Sequence, residues 1–208
     1  MSAPARPRGR PKREDRAQAQ RERILDAARR CFVEQGFHAA SMAHIAETAG
    51  MSAGLIYRYF DSKNAIILAI IASQLEERRE RIDSLRDIDQ LGERVLELFH
   101  AWRHGDDSGM NAALFLEMSA EATRDAQIAA ALAASDDEGS RQFTEWMRRE
   151  ATHRGLQPDD TELQARRLIL QCFIEGLALR AVRQPGLDPA FIDAAIRRLL
   201  PRVFDYAG

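Results

Sequence analysis

The sequence predicts an all-α fold, and three observations carry this prediction. Apolar residues recur at the three-to-four-residue spacing of amphipathic helices in almost every segment. No alternation of apolar and polar residues is long enough to indicate a sheet. The helical patterns are separated by polar breaks with glycine or proline, the clearest at 105–109, 155–160 and 184–189. With 208 residues, the chain has room for a small domain joined to a larger one.

The first helix is expected from about Arg16 to Gln35. Asp15 is its expected N-cap, and Gly36 follows its last turn, where glycine commonly ends a helix. The inner face is an apolar stripe against which Phe37 packs as the chain turns; the stripe is formed by Ile24, Ala28, Cys31 and Phe32.

Two very short helices come next. Ser41 is the expected N-cap of a helix over about 42–49, and Ser52 that of a helix over about 53–60, with Gly50 between them. Helices of roughly seven residues are marginal in water, so this pair must be held by packing against its neighbours. The expected buried side chains are Ile45, Ala46, Ala49, Ile56 and Phe60.

A long fourth helix is expected to begin after a cap at Asp61 or Ser62 and to reach about Leu85. Five more helices are expected at about 88–104, 110–121, 126–153, 161–184 and 189–206. The chain would therefore contain about nine helices, with no visible internal repeat.

Charge is distributed unevenly along the chain. Residues 1–63 hold 12 Lys and Arg against 7 Asp and Glu, a net +5, whereas 64–208 hold 18 against 25, a net −7. A basic head on an acidic body is typical of an anion-binding module, and nucleic acid is the leading candidate.

The two cysteines, Cys31 and Cys172, both lie in apolar helical patterns and are expected to be small buried residues without a disulfide. The N-terminus has no apolar region behind its charges, and the longest apolar stretch, 65–72, is too short to cross a bilayer. We therefore expect a soluble, cytoplasmic protein with no membrane partner.

The segment SMAHIAETAGMSAGLIYRYFDSK at 41–63 predicts a helix-turn-helix that reads DNA. Small residues at the start of its second helix, Ser52, Ala53 and Gly54, allow a close approach to the major groove. Tyr57 and Tyr59 can reach phosphates or base edges through their hydroxyl groups.

Two further residues of this segment are expected at phosphates, because free N–H groups at helix N-termini bind anions. These residues are Ser41, which opens the first short helix, and Lys63, which opens the fourth helix. A plain core role for the aromatic residues is the alternative, but Tyr57, Arg58 and Tyr59 are consecutive and cannot all point inward on a helix.

This segment resembles the DNA-binding domain of the tetracycline-repressor (TetR) family of bacterial transcription regulators, and residues 16–70 carry the resemblance. The matching positions are Ile45, Ala46, Gly50, Ser52, Gly54, Leu55, Tyr57, Tyr59, Phe60 and Lys63. The resemblance implies phosphate contacts from Ser41, Tyr57 and Lys63, and groove-facing positions for Ala43, Ser52, Ala53, Gly54 and Tyr59. Ala43 stands where members often place a long polar side chain, so base readout by these helices is expected to be sparse.

The resemblance also implies a division into a flexible basic arm over 1–15, a DNA-binding domain over 16–63 and a helical effector-binding and dimerisation domain over 64–208. The implied function is a ligand-responsive regulator, most commonly a repressor, that binds a palindromic operator as a homodimer. A small, largely apolar effector would release it from DNA.

The N-terminal arm is expected to contact DNA as well, although a disordered leader is the simpler alternative. Its positive residues are Arg6, Arg8, Arg10, Lys12 and Arg13, with no acidic residue among them. The run Arg8-Gly9-Arg10-Pro11 resembles the core of an AT-hook, which places arginines in a narrow A·T-rich minor groove.

The last two helices carry more apolar residues than one inward stripe requires, so they are expected to form a four-helix dimer interface. The interface candidates are Leu168, Cys172, Leu179, Val182, Phe191, Ile196, Leu199, Leu200 and Val203. An ordinary intramolecular core is the alternative.

Bulky, adaptable side chains in the body are candidates to line an apolar effector pocket, although such side chains also fill cores. They are Trp102, Met110, Phe115, Met118, Phe143, Trp146, Met147, Phe173 and Leu177. The pocket interpretation rests partly on the family resemblance.

Other classes of function have weaker support in the sequence. His100 and His104 have a spacing that a metal can bridge, with Glu97 nearby, but no motif supplies a third ligand. No catalytic motif is present, so we expect neither an enzyme nor a cofactor. An architectural DNA-binding protein without a ligand remains the alternative, since it needs the same basic head.

Overall fold

The computed structural model describes residues 13–104 and 111–205, and the regular structure in these ranges consists of nine α-helices without a strand. The predicted all-α class is confirmed. The helices are α1 Arg13–Ala39, α2 Met42–Thr48, α3 Ala53–Tyr57, α4 Lys63–Asp83, α5 Ile88–His104, α6 Ala112–Ala122, α7 Ala126–His153, α8 Asp160–Arg183 and α9 Pro189–Val203.

The chain divides into two compact units, Met1–Ile66 and Ile67–Gly208, and the boundary falls inside α4. The first unit contains α1 to α3 and the first turn of α4. The second contains the rest of α4 and all later helices.

In the first unit, the predicted inner stripe of α1 is buried, and the Phe37 ring packs on Phe32 with 5.2 Å between ring centroids. Gly36 interrupts the helix with φ 78° and ψ 159°, a conformation that glycine adopts without a steric cost. The N-cap prediction for Asp15 is wrong, because α1 begins at Arg13 and Asp15 lies in its first turn. Arg13 and Glu14 favour helix, so the helix extends through them.

The five side chains expected to bury the short helices are all buried. The second of these helices ends earlier than expected, at Tyr57 rather than Phe60. The N–H groups of Tyr59 and Phe60 both bond to the carbonyl oxygen of Ile56 as the chain turns toward α4.

In the second unit, α5 packs on α8 and α9, while α6 packs on α7 and α8. Their shared core includes Leu91, Val95, Phe99, Trp102, Trp146, Met147, Leu163, Leu170, Leu177, Ile192, Ile196 and Leu200. Asn111 caps α6 by accepting hydrogen bonds from the N–H groups of Ala113 and Leu114, so this helix begins at Ala112 rather than at Met110.

Candidate functional site

The helix-turn-helix is built from two capped short helices and a glycine turn. The Ser41 hydroxyl accepts a hydrogen bond from the N–H of His44 at 3.2 Å, and the Ser52 hydroxyl accepts one from the N–H of Leu55 at 3.3 Å. Both predicted caps are confirmed. Gly50 turns the chain between the helices at φ 60°, in the left-handed region that favours glycine.

Three arginines of α1 hold the C-terminal ends of the short helices. Arg30 donates to the carbonyl oxygen of Thr48 and Arg23 to that of Gly50, each at 3.4 Å, and Arg21 donates to that of Tyr59 at 3.1 Å. Positive groups are favourable there because helix C-termini carry partial negative charge and unsatisfied carbonyl groups. These contacts explain how helices of seven and five residues are stabilised.

Sequence reasoning did not identify this bracing. The guanidinium group of Arg21 also lies 4.3 Å from the centre of the Phe60 ring, which adds a cation–π contact. The available signal was the number of arginines on the polar side of α1, but sequence alone does not show which carbonyl groups they reach.

One side of α3 is exposed. Ala53, Gly54, Tyr57 and Arg58 are exposed, and the side chain of Tyr57 is 53% exposed. Tyr59 is half-buried. The helix therefore presents small residues at its start and two long side chains one turn later.

The structure places the predicted DNA-binding residues of α2 and α3 on this same unit. The exposed ones are Ser41, Ala43, Ser52, Ala53, Gly54 and Tyr57. Arg13 is the first residue of α1, while Arg6, Arg8, Arg10 and Lys12 lie outside the described residues.

Lys63 has a structural role in addition to its predicted phosphate contact. Its ammonium group donates to the carbonyl oxygen of Phe37, to that of His38 at 3.2 Å and to that of Ala40 at 2.8 Å. The same group lies 4.5 Å from the centre of the Phe37 ring. Lys63 therefore ties the end of α1 to the start of α4, and a phosphate would have to share these donors.

The predicted pocket residues lie in the core of the second unit. Trp102, Met118, Trp146, Met147 and Leu177 are buried, while Phe115, Phe143 and Phe173 are partly buried and pack against the core cluster. Met110 lies outside the described residues. The Trp146 indole N–H donates to the carbonyl oxygen of Leu85 at 3.1 Å, which fixes the ring relative to the chain that follows α4.

A second polar contact joins α4 to α7. The Arg78 guanidinium donates to the backbone carbonyl of Ser135 and, at 3.0 Å, to its hydroxyl group, and it pairs with Asp136 at 3.5 Å. The Arg78 guanidinium occupies the space that a side chain at residue 139 would need, because a Cβ built at Gly139 would come within 2.6 Å of it. Glycine at 139 therefore makes room for this contact.

The helices α8 and α9 expose an apolar surface, which we call the α8–α9 face. Its large apolar side chains are Leu168, Ile169, Leu179, Val182, Phe191 and Leu199, between 37% and 62% exposed. Cys172 is exposed among them, which corrects the expectation that both cysteines are buried; only Cys31 is.

Three of the predicted interface residues are not exposed on this face. Ile196 and Leu200 are buried in the chain's own core, at 0% and 2% exposure, and Val203 is half-buried against it. This side of α9 faces α5, where a Cβ built at Gly92 would lie 3.6 Å from Leu200, so we leave these residues out of the proposed interface. Ile169 is an exposed residue that sequence reasoning missed.

Residues 13–104 and 111–205 contain no group of three His, Cys, Asp or Glu side chains placed to hold a metal ion. Within the same ranges, no helix is long and apolar enough to cross a membrane.

A braced helix-turn-helix on a separate helical unit defines a class of protein: DNA-binding transcription regulators. Comparison with known families agrees with this class. Residues 24–70 match the model for bacterial regulatory proteins of the tetR family, and residues 92–205 match the C-terminal domain of BetI-type transcriptional repressors. The chain belongs to the TetR family of transcriptional regulators, as the sequence motifs predicted.

Individual relatives support the same assignment. The chain is 35% identical over 159 residues to the HTH-type transcriptional regulator UidR of Escherichia coli, covering 74% of this chain and 78% of UidR. It is similar to the structure of Salmonella enterica GusR, with a TM-score of 0.70 and 26% identity over 89% of this chain and 95% of GusR. The fold also matches Bacillus subtilis FadR in complex with stearoyl-CoA, with a TM-score of 0.66, 19% identity and coverage of 86% and 96%.

Proposed function

We propose that this regulator is a repressor that binds a palindromic operator as a homodimer in the cytoplasm and is released by a small, largely apolar effector. The observation that carries the proposal is that one chain has two exposed surfaces. One is the side of α3 with Ala53, Gly54, Tyr57 and Arg58, which we call the reading face, and the other is the α8–α9 face. Helix-turn-helix proteins usually bind two half-sites as dimers, and the exposed apolar face can supply the dimer interface.

The proposed DNA contacts follow the burial pattern of the first unit. Ser41 and Tyr57 contact phosphates, Ala43 and the Ser52–Gly54 start of α3 enter the major groove, and Tyr59 reaches from the edge of that helix. Lys63 contributes positive charge near the phosphate that the start of α4 binds. The arm, with its arginines, follows the backbone into an adjacent, A·T-rich minor groove.

The proposed dimer joins two α8–α9 faces. Leu168, Cys172 and Leu179 follow one stripe of α8, because their spacing of four and seven residues returns to the same side of a helix. Exposed apolar side chains in one continuous patch mark interaction surfaces, and a two-fold dimer brings the same patch of both copies together.

This dimer is tested with Phe191→Glu, which puts a charge at the most exposed apolar position of the face. We expect the variant to elute as a monomer in light-scattering chromatography and to lose operator binding. Ala190→Glu is the matched control, because Ala190 is exposed on the same helix but does not neighbour Phe191 on its face. A dimeric Phe191→Glu protein would contradict the proposed interface.

The proposed effector binds among the aromatic and methionine side chains of the second unit, from Trp102, Met118 and Phe115 to Phe143, Trp146, Met147, Phe173 and Leu177. Such side chains suit an apolar ligand. The proposal is supported by the structure of Bacillus subtilis FadR, a protein of the same fold in complex with stearoyl-CoA, a ligand with a long apolar part.

Buried polar side chains of α4 and α7 add polar chemistry to this proposal. Gln74 Nε2, Arg78 Nε and Gln142 Oε1 are shielded from solvent and have no hydrogen-bond partner in the part of the chain that the structure describes. Buried polar atoms without a partner are costly, so a ligand with a hydrogen-bonding group at one end would gain affinity there. The proposed effector is therefore largely apolar with a polar end.

The effector releases the protein from DNA if it binds more tightly to a conformation in which the position of α4 has changed. This helix contains the boundary between the two units and is fastened to α7 through Arg78. A ligand can change DNA affinity only by its differential binding to the two conformations, typically about 1–3 kcal/mol of coupling.

The function is tested by fluorescence anisotropy with labelled DNA from upstream of the protein's own gene, followed by titration of small apolar compounds. We expect preferential binding to a palindrome and release by a compound that also raises the melting temperature. A protein that binds DNA but responds to no compound would favour an architectural role.

A further inference from the structure

The exposed residues at the start of α3 lack a side chain suited to base recognition. Ala53 and Gly54 at its start, and Ala43 on α2, have no polar side-chain atom. Alanine can contact little beyond a thymine methyl group. A specific regulator whose α3 begins in this way needs a longer polar side chain that can reach the base edges.

Arg58, the C-cap residue of α3, is such a side chain. It is exposed, and its guanidinium forms no hydrogen bond, ion pair or ring contact with any residue in the described ranges. By contrast, Arg21, Arg23 and Arg30 donate to backbone carbonyl groups, as does Lys63. Arg58 is therefore available to a ligand in a way that these four cations are not.

The position of Arg58 at the end of α3 favours a side chain that extends back along the helix. Side chains on a helix lean toward its N-terminus, so residue 58 covers the surface one turn earlier, at Gly54. Gly54 has no side chain, and a Cβ built there meets nothing within 4 Å. The Arg58 stem can therefore lie along α3 toward Ser52, the end expected to enter the groove.

We propose that Arg58 is a specificity-determining residue that donates two parallel hydrogen bonds to the N7 and O6 atoms of one guanine in each half-site. The planar guanidinium matches these two acceptors, and this pairing is the commonest base-specific contact that proteins make in the major groove. The inference rests on the proposed operator binding and adds the base that α3 reads.

The test is a binding selection from a randomised DNA library by the wild-type protein and by Arg58→Ala and Arg58→Lys. We expect the wild type to select guanine at one symmetric pair of positions, with a preference of roughly 5- to 150-fold per half-site. Arg58→Ala should lose this preference and keep the rest of the motif. Arg58→Lys should keep the charge but lose most of the preference, because it lacks the planar pair of donors.

Arg16→Ala is the matched control, because Arg16 is an exposed arginine of α1 that likewise contacts no described residue through its side chain. It should leave the selected motif unchanged. A uniform loss of affinity in Arg58→Ala with the guanine still selected would overturn the inference, because it indicates a phosphate contact. A wild-type protein that selects no motif would instead contradict the proposed operator binding, and with it this inference.

Discussion

Replacing Gly50 with alanine should destabilise the DNA-binding unit without touching its DNA-facing side chains. Gly50 has φ 60°, where an L-residue costs about 1–2 kcal/mol. Alanine also lowers the conformational entropy of the unfolded chain, which stabilises the folded protein by about 0.4–1 kcal/mol. The new methyl group would stand 2.7 Å from the Arg23 guanidinium and displace it from the Gly50 carbonyl. We expect a net loss of about 1 kcal/mol.

Urea unfolding followed by circular dichroism measures this loss, and a melting temperature lower by about 2–4 °C would accompany it. Gly54→Ala is the control, since a methyl group there meets nothing within 4 Å and alanine favours helix. It should be as stable as the wild type or more so. Equal or greater stability of Gly50→Ala would refute the role given to the left-handed turn.

Two further predictions concern the DNA-binding unit. Lys63→Met should lower the free energy of unfolding in the absence of DNA by about 1–3 kcal/mol, because three backbone carbonyl groups lose a charged donor; an unchanged urea midpoint would show that the ammonium group matters only for phosphate binding. Deleting residues 1–12 should weaken DNA binding and flatten its salt dependence by about 0.9 logarithmic units per lost phosphate contact, measured by anisotropy across a salt series. An unchanged slope would exclude the arm from the DNA complex.

The fold was predictable from the sequence because its signals are local. Ser41, Ser52 and the glycines at 36 and 50 are short-range caps and turns, and the apolar stripe of α1 is a single-helix pattern. Each needs only a few neighbouring residues to act, so sequence reasoning placed the helices within a few residues of their observed ends.

Long-range contacts were not predictable in the same way. The carbonyl partners of Arg21, 38 residues away, and of Lys63, 26 residues away at Phe37, exist only once the first unit has folded. Likewise, an apolar stripe on α9 does not show which of its sides meets α5. The sequence therefore predicts Ile196 and Leu200 at the interface, whereas in the structure they lie in the core.

Footprinting of the wild-type protein on the DNA upstream of its own gene would show whether this chain reads a two-fold symmetric DNA site. We expect protection of two symmetric half-sites whose centres lie about 34 Å, or a small multiple of that distance, apart. Affinity equal to that for random DNA, without a defined footprint, would contradict it.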